Sequence, residues 1–196
     1  MTTIGEYAFV RCAGLTSVAI PSGVTTIGQG TFSGCTGLTN ITVDAGNPNY
    51  ASANGVLYNK AMTTLIRAPG ALAGQVNIPD GVITIGACAF DECRALTGVT
   101  IPDSVTTIGN EAFRRCSSLT SITIPNSVAT IGWSVFQSCN ALASVTVFAA
   151  MPPLGGIAVF DYTHASLQIY VPADSVDAYK AAAGWSEYAS AIQAIP

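Results

Sequence analysis

Seven positions recur together along this chain, and the interval between copies hardly varies. From Ile108 the stretch reads IGNEAFRRCSSLTSITIP, and its frame is I-G-x3-F-x2-C-x2-L-x2-[IV]-x-[IV]. Copies begin at Ile4, Ile27, Ile85, Ile108 and Ile131. Neighbouring copies lie 23 residues apart, except that Ile27 and Ile85 are separated by 58, one unit plus 35. A unit this short cannot bury its own apolar side chains. Each copy must lean on the next, so the chain has to stack.

Two local periods alternate inside a unit. Leu-x-x-Ile-x-Ile places Ile122 and Ile124 on one face of a strand. Pro125 lacks an amide donor and ends it. Val128 and Ile131 read as a second short extended piece, and Gly132 as the residue that lets the backbone turn a corner. Phe113 and Cys116, three apart, suit one turn of helix or 3₁₀. Phe, Cys, Leu, Ile and Val thus point inward from successive sides of one coil. A fixed period in the twenties around this core is the signature of a leucine-rich repeat solenoid. The expected fold is mostly β with short helical or 3₁₀ turns: a right-handed solenoid of 23-residue repeats and about seven coils, with one irregular coil and a C-terminal helical cap.

The chain divides accordingly. Residues 1–43 and 76–147 hold regular repeats. Residues 44–75 form the irregular coil, where Asn47-Pro48 and Asn54-Gly55 are turn signals and GVLYN and TTLIRAP, joined by KAM, read as a hairpin. Residues 148–196 form a last strand unit and cap. The cap begins with a short helix, acidic in its first turn and stopped by Gly184, with Val176 and Tyr179 on one face. A second turn brings Trp185, Tyr188 and Ile192 against the open end. Neither a signal peptide nor a cap precedes the first repeat, which points to a piece of a longer protein.

Composition narrows the function. Charged residues are 9% of the 196, far below the usual quarter, and the net charge is −4. Nucleic acid is therefore not an expected partner, since it calls for a basic stripe. The apolar share of 49% is spent on the interior of the coils, and no run of about 18 apolar residues offers a transmembrane segment.

Cys12, Cys35, Cys93, Cys116 and Cys139 share one ladder position. Parallel side chains about 4.8 Å apart do not converge as a disulfide requires. The one closely spaced pair, Cys88-x4-Cys93, is read as too long for a zinc pair. These cysteines are expected to act as small interior hydrophobes, with no metal and no cofactor. Cys88 aligns instead with Tyr7, Gly30, Glu111 and Ser134, a mostly polar position. It is the expected part-exposed, reactive thiol.

A catalytic reading must rest on Asp161, His164 and Ser166, which have the residue types of a hydrolase. They share one loop, whereas a triad converges from separate elements. No enzyme is expected. The outward strand positions form a plain Thr/Ser ladder, including Thr39, Thr120, Ser121 and Thr123. Arg11, Asp91, Glu92, Arg114 and Arg115 lie between the Phe and Cys positions and read as a solvated convex face. Distinctive contacts are expected where the repeat breaks. There the candidate ligand-binding residues are Asn47, Asn49, Tyr50 and Tyr58, with Trp133 as a separate candidate on the coil edge.

The unit EAFRRCSSLTSITIP, the variant NGVLYNKAMTTLIRAP and the tail IYVPADSVDAYKAAAGW together resemble the BspA-like leucine-rich repeat family over essentially the whole chain. The resemblance implies a non-catalytic adhesion or interaction module of a secreted or surface bacterial protein. Its partner would be a protein or glycan of a host or neighbouring cell. The alternative is an inert spacer that presents another domain.

Overall fold

The computed structural model describes residues 2–196. Its strands build a solenoid of about eight turns. Each regular turn carries a two-residue strand, a tight corner and a strand of four or five residues, such as Thr107–Ile108 followed by Ser121–Ile124. Like strands pair in parallel, one turn to the next: Thr107 against Thr130, Ile122 against Val145. The count exceeds the expected seven because Ile192–Ala194, read as part of a helical cap, is a strand paired with Gln168–Val171. The short helix Val176–Ala181 carries the chain to it.

The corner is not a helical turn. From Gly109 to Cys116 it is a series of i→i+3 turns bracketed by two left-handed residues, Glu111 (φ 55°) and Arg115 (φ 59°). The same pair recurs as Tyr7 and Arg11, Gly30 and Gly34, Cys88 and Glu92, Ser134 and Ser138, Ala158 and Tyr162. Left-handed backbone costs a non-glycine residue about 1–2 kcal/mol. The return is that alternate amides face along the stack. Those of Glu111, Phe113 and Arg115 donate to the carbonyls of Trp133, Val135 and Gln137 at 2.9, 2.9 and 2.8 Å. The glycine before the corner has another role than expected. Its φ is not positive; instead a Cβ on Gly132 would lie 2.5 Å from the Asn110 nitrogen, and one on Gly109 would lie 2.7 Å from that of Ala87.

Phenylalanine stacks on phenylalanine through the interior. Phe113 lies between Phe90 and Phe136 at ring centroid distances of 4.9 and 5.4 Å, and Phe136 meets Phe160 at 5.5 Å. The cysteine beside each ring uses its thiol hydrogen. Cys116 Sγ donates to Phe90 O at 3.2 Å, Cys139 Sγ to Phe113 O at 3.0 Å, and Cys35 Sγ to Phe9 O at 2.9 Å.

The ladder breaks between Phe32 and Phe90, where the irregular coil has no phenylalanine. Residues 44–75 hold a three-stranded meander rather than one hairpin. Tyr50–Ala53 pairs antiparallel with Val56–Asn59, which pairs antiparallel with Thr64–Arg67. Asn54 and Gly55, at φ 51° and 78°, make the tight turn between the first two strands. The middle strand divides the core: Leu57 packs with the N-terminal coils, Val56 and Tyr58 with the rest. Between the coils on either side of this break lies Arg67, 4% exposed. Its Nη2 donates to Phe32 O and Asp91 O, both at 2.9 Å, and its Nη1 to Cys88 O. One guanidinium thereby joins the coils on either side of the break.

The convex charges are not a simple solvated face. Asp91 and Glu92 are buried and bridge coils, Asp91 to Arg114 at 2.9 Å and Glu92 to Arg115 at 2.8 Å. Burial alone would raise the Glu92 carboxyl. Hydrogen bonds from Arg94 and Arg115 outweigh it and hold the group below its ordinary 4.5. At the C-terminal end Tyr179 Oη donates to Ala149 O at 2.8 Å and Trp185 Nε1 to Pro153 O at 2.9 Å, so both buried rings keep their polar atoms satisfied.

Two outcomes follow from this packing. Phe113→Ala should cost about 3–5 kcal/mol, because a stacked, fully buried ring leaves a cavity that its neighbours cannot close; chemical denaturation measures it. A carboxyl held below its unfolded value contributes stability that is present above about pH 4.5 and lost as the pH falls through its folded value. The thermal midpoint of the native chain should therefore drop more steeply below about pH 4.5 than that of Glu92→Gln.

Candidate functional site

The irregular coil turns two of its four expected contact residues, Asn47 and Tyr58, inward. Asn47 is buried: its Nδ2 donates to Pro21 O at 2.8 Å and Val24 O at 2.9 Å, and its Oδ1 accepts the amides of Asn49 and Tyr50. It fastens the meander to the preceding coil. Tyr58 is buried in the main core because strand alternation puts it on the same face as Val56. Tyr50 is half-buried, and its hydroxyl accepts the Ile27 amide at 2.9 Å, standing in for a missing ladder partner. Asn49 is exposed, with its Nδ2 on Thr25 O at 2.8 Å. The expectation of contact residues here is corrected for Asn47 and Tyr58, which are interior. The break in the repeat leaves strand edges bare, and these side chains satisfy them.

Cys88 is corrected as well. It is 2% exposed, covered from the next coil by Glu111, whose Oε2 lies 3.7 Å from Sγ. Burial, followed by the carboxylates of Glu111 and Asp91, raises its thiol. All six cysteines are free. Burial pushes Cys93 to about 12 and also raises Cys35 and Cys116. Cys12, expected inside with the other ladder cysteines, is instead the one exposed thiol.

The hydrolase residue types do not converge. Asp161 Oδ1 accepts the Tyr188 hydroxyl at 2.9 Å, and His164 Nδ1 accepts the backbone amide of Ser166 at 3.1 Å. Each contact shapes the loop or ties it to the end of the stack.

Trp133 stands where sequence reasoning expected, on the coil edge and 42% exposed. Two neighbours were missed. The amides of Glu111 and Ser134 donate to Trp133 O and Ile157 O, so Trp133 and Ile157 occupy successive rungs of one ladder. Ile157 is 72% exposed, and Leu154, paired beside Thr130, is 76% exposed. A Cβ on Gly156 would come within 2.4 Å of the Trp133 nitrogen, so these two rungs meet without a gap. The signal was present. LGGIAVF repeats TIGWSVF at a spacing of 24, one residue longer than the regular interval.

The fold and its exposed edge define a leucine-rich repeat solenoid whose corners are tight turns rather than helices. The chain belongs to the BspA-type leucine-rich repeat family: the family's repeat region matches in six copies over residues 1–65 and 72–177. It is similar to a leucine-rich repeat protein from Eubacterium ventriosum, at 33% identity and a TM-score of 0.73 over 88% of this chain and 45% of the other. A leucine-rich cell surface protein from Faecalibacterium prausnitzii matches at 30% identity and a TM-score of 0.66, over 87% of this chain and 51% of that one. The pneumococcal vaccine antigen PcpA shares the fold at 20% identity and a TM-score of 0.70, over 99% of this chain and 58% of the antigen. The chain thus spans about half the length of these relatives. No curated protein matches it. No helix among the described residues is long and apolar enough to cross a membrane.

The thiols give a direct check on this geometry. Brief labelling of the native chain followed by mass spectrometry should modify Cys12 well before the other five. Cys88 reacting at the rate of Cys12 would mean that its cover by Glu111 is open in solution.

Proposed function

We propose that this chain is a non-catalytic protein-binding module of a bacterial surface or secreted protein, and that it contacts its partner through the edge formed by Trp133, Leu154 and Ile157. The observation that carries this reading is that edge. Three large apolar side chains stand open to solvent on adjacent turns, with Phe148, Met151 and Tyr162 also exposed in the same part of the chain. Tryptophan is enriched among residues that dominate binding energy, and an apolar centre with a polar rim is the usual anatomy of a protein interface. The partner should present apolar side chains of its own. A surface or secreted setting is supported by the relative described as a leucine-rich cell surface protein. Of the residues proposed from the sequence, Trp133 stays in the site, Asn49 and Tyr50 lie on a separate face, and Asn47 and Tyr58 serve the fold.

Surface plasmon resonance against a panel of extracellular-matrix proteins tests the reading. The double variant Trp133→Ala, Ile157→Ser should weaken binding about tenfold or more while leaving the thermal midpoint within a degree or two. Binding unchanged by the variant would place the contact elsewhere. No binding by either form would favour a spacer that presents another part of a longer protein.

A further inference from the structure

The break in the solenoid leaves a cavity of about 260 Å³ between the second and fourth coils. Its walls include Gly30, Phe32, Leu57, Ile66, Arg67 and Cys88. The cavity is the space of a missing turn. In the fourth coil the amides of Cys88, Phe90 and Glu92 donate to Asn110, Ala112 and Arg114 of the next coil. The equivalent amides of the second coil belong to Gly30, Phe32 and Gly34. Among the described residues, no backbone carbonyl receives them. The complementary acceptor is idle as well. At this rung the carbonyls of Gln29, Asn110, Trp133 and Ile157 each accept an amide from the preceding coil, whereas that of Ala87 accepts none.

The guanidinium at this place has no ion-pair partner among the described residues. Arg67 is buried, takes part in none of the ion pairs among the described residues, and spends three N–H groups on carbonyls while its Nε donates to nothing. Glu111 and Asp91 share Arg114, at 2.8 and 2.9 Å, and neither forms an ion pair with Arg67. A buried guanidinium that no carboxylate touches leaves a place for an anion beside it. The apolar walls from Phe32, Leu57 and Ile66 require that anion to carry a short hydrocarbon body.

We propose that this cavity binds a carboxylate with a short apolar body, the carboxylate held by the field of Arg67 and the free amides of Gly30 and Phe32. Two sources share that chemistry: a small organic acid and the C-terminal residue of a peptide. A peptide end brings an amide N–H as well, which the idle carbonyl of Ala87 can accept. The site is independent of the exposed edge at Trp133.

The test is a nitrogen-resolved NMR titration of the native chain with isovalerate, N-acetyl-leucine and the amide of each. Both acids should shift the amides of Gly30, Phe32 and Cys88, and each acid should bind at least about tenfold more tightly than its amide. N-acetyl-leucine binding more tightly than isovalerate would identify a peptide end as the source; equal binding would identify the small acid. Ala87→Trp should abolish the shifts by filling the mouth. That rung accepts the side chain, since Trp133 occupies the same position two coils on, and Asn110→Trp on the intervening rung should leave binding unchanged. Arg67→Gln should weaken acid binding about tenfold, to the level of the amides; the Ala87→Trp arm stands whether or not that variant folds. Acid and amide binding alike, or millimolar acid that leaves these three amides unmoved, would overturn the proposal.

Discussion

The closeness of successive coils at the corner glycines governs the rest of this structure. Gly109 and Gly132 approach the backbone of the preceding coil more tightly than any Cβ allows. That contact sets the two-residue strands in register and brings each corner directly over the last. Side chains of one type then stack on themselves. Phe113 can meet Phe90 at 4.9 Å only because both corners have the same path. The thiol of Cys116 can reach the Phe90 carbonyl for the same reason. The left-handed pairs are part of this arrangement. They tilt alternate amides along the stack, and their cost is offset by hydrogen bonds that no isolated coil could make.

Such a stack is intolerant of variation inside and permissive outside. Where the repeat is broken, the surrounding coils still present donors, acceptors and a ring-sized space. Asn47 and the Tyr50 hydroxyl occupy some of the bare strand edge, and Arg67 spans the break by donating to three carbonyls. The meander is thus a splice between two cores, with Leu57 in one and Tyr58 in the other. Asn47 and Tyr58 are taken up by that role. Open apolar side chains occur elsewhere, and near the C-terminal end Trp133 and Ile157 follow one another on successive rungs.

Particular residues separate what was legible from what was not. The interior ladder could be read from spacing because each inward position repeats at a fixed interval and apolar character marks it. Arg67 could have been read as well: it lies two residues from Leu65 in a strand, so it shares Leu65's inward face, and both are buried. Its charge argued against burial, and local pattern alone offered no sight of the three carbonyls that satisfy it. Cys88 was misplaced because its rung holds Tyr, Glu and Ser elsewhere. Whether such a rung is wet depends on the side chains above and below, here Glu111, rather than on its own type.

The sequence by itself determined the solenoid, the period, the inward ladder and the place of the irregular coil, because these depend on residues whose spacing is the structure's own repeat. It also determined a paucity of charge that disfavours nucleic acid. Only the tertiary structure decided which side chains of the irregular coil face inward, that the corners are paired left-handed turns, and that Trp133, Leu154 and Ile157 share one exposed edge. Those outcomes depend on contacts between coils about 23 residues apart, and a single unit read along its length carries no information about what lies against it.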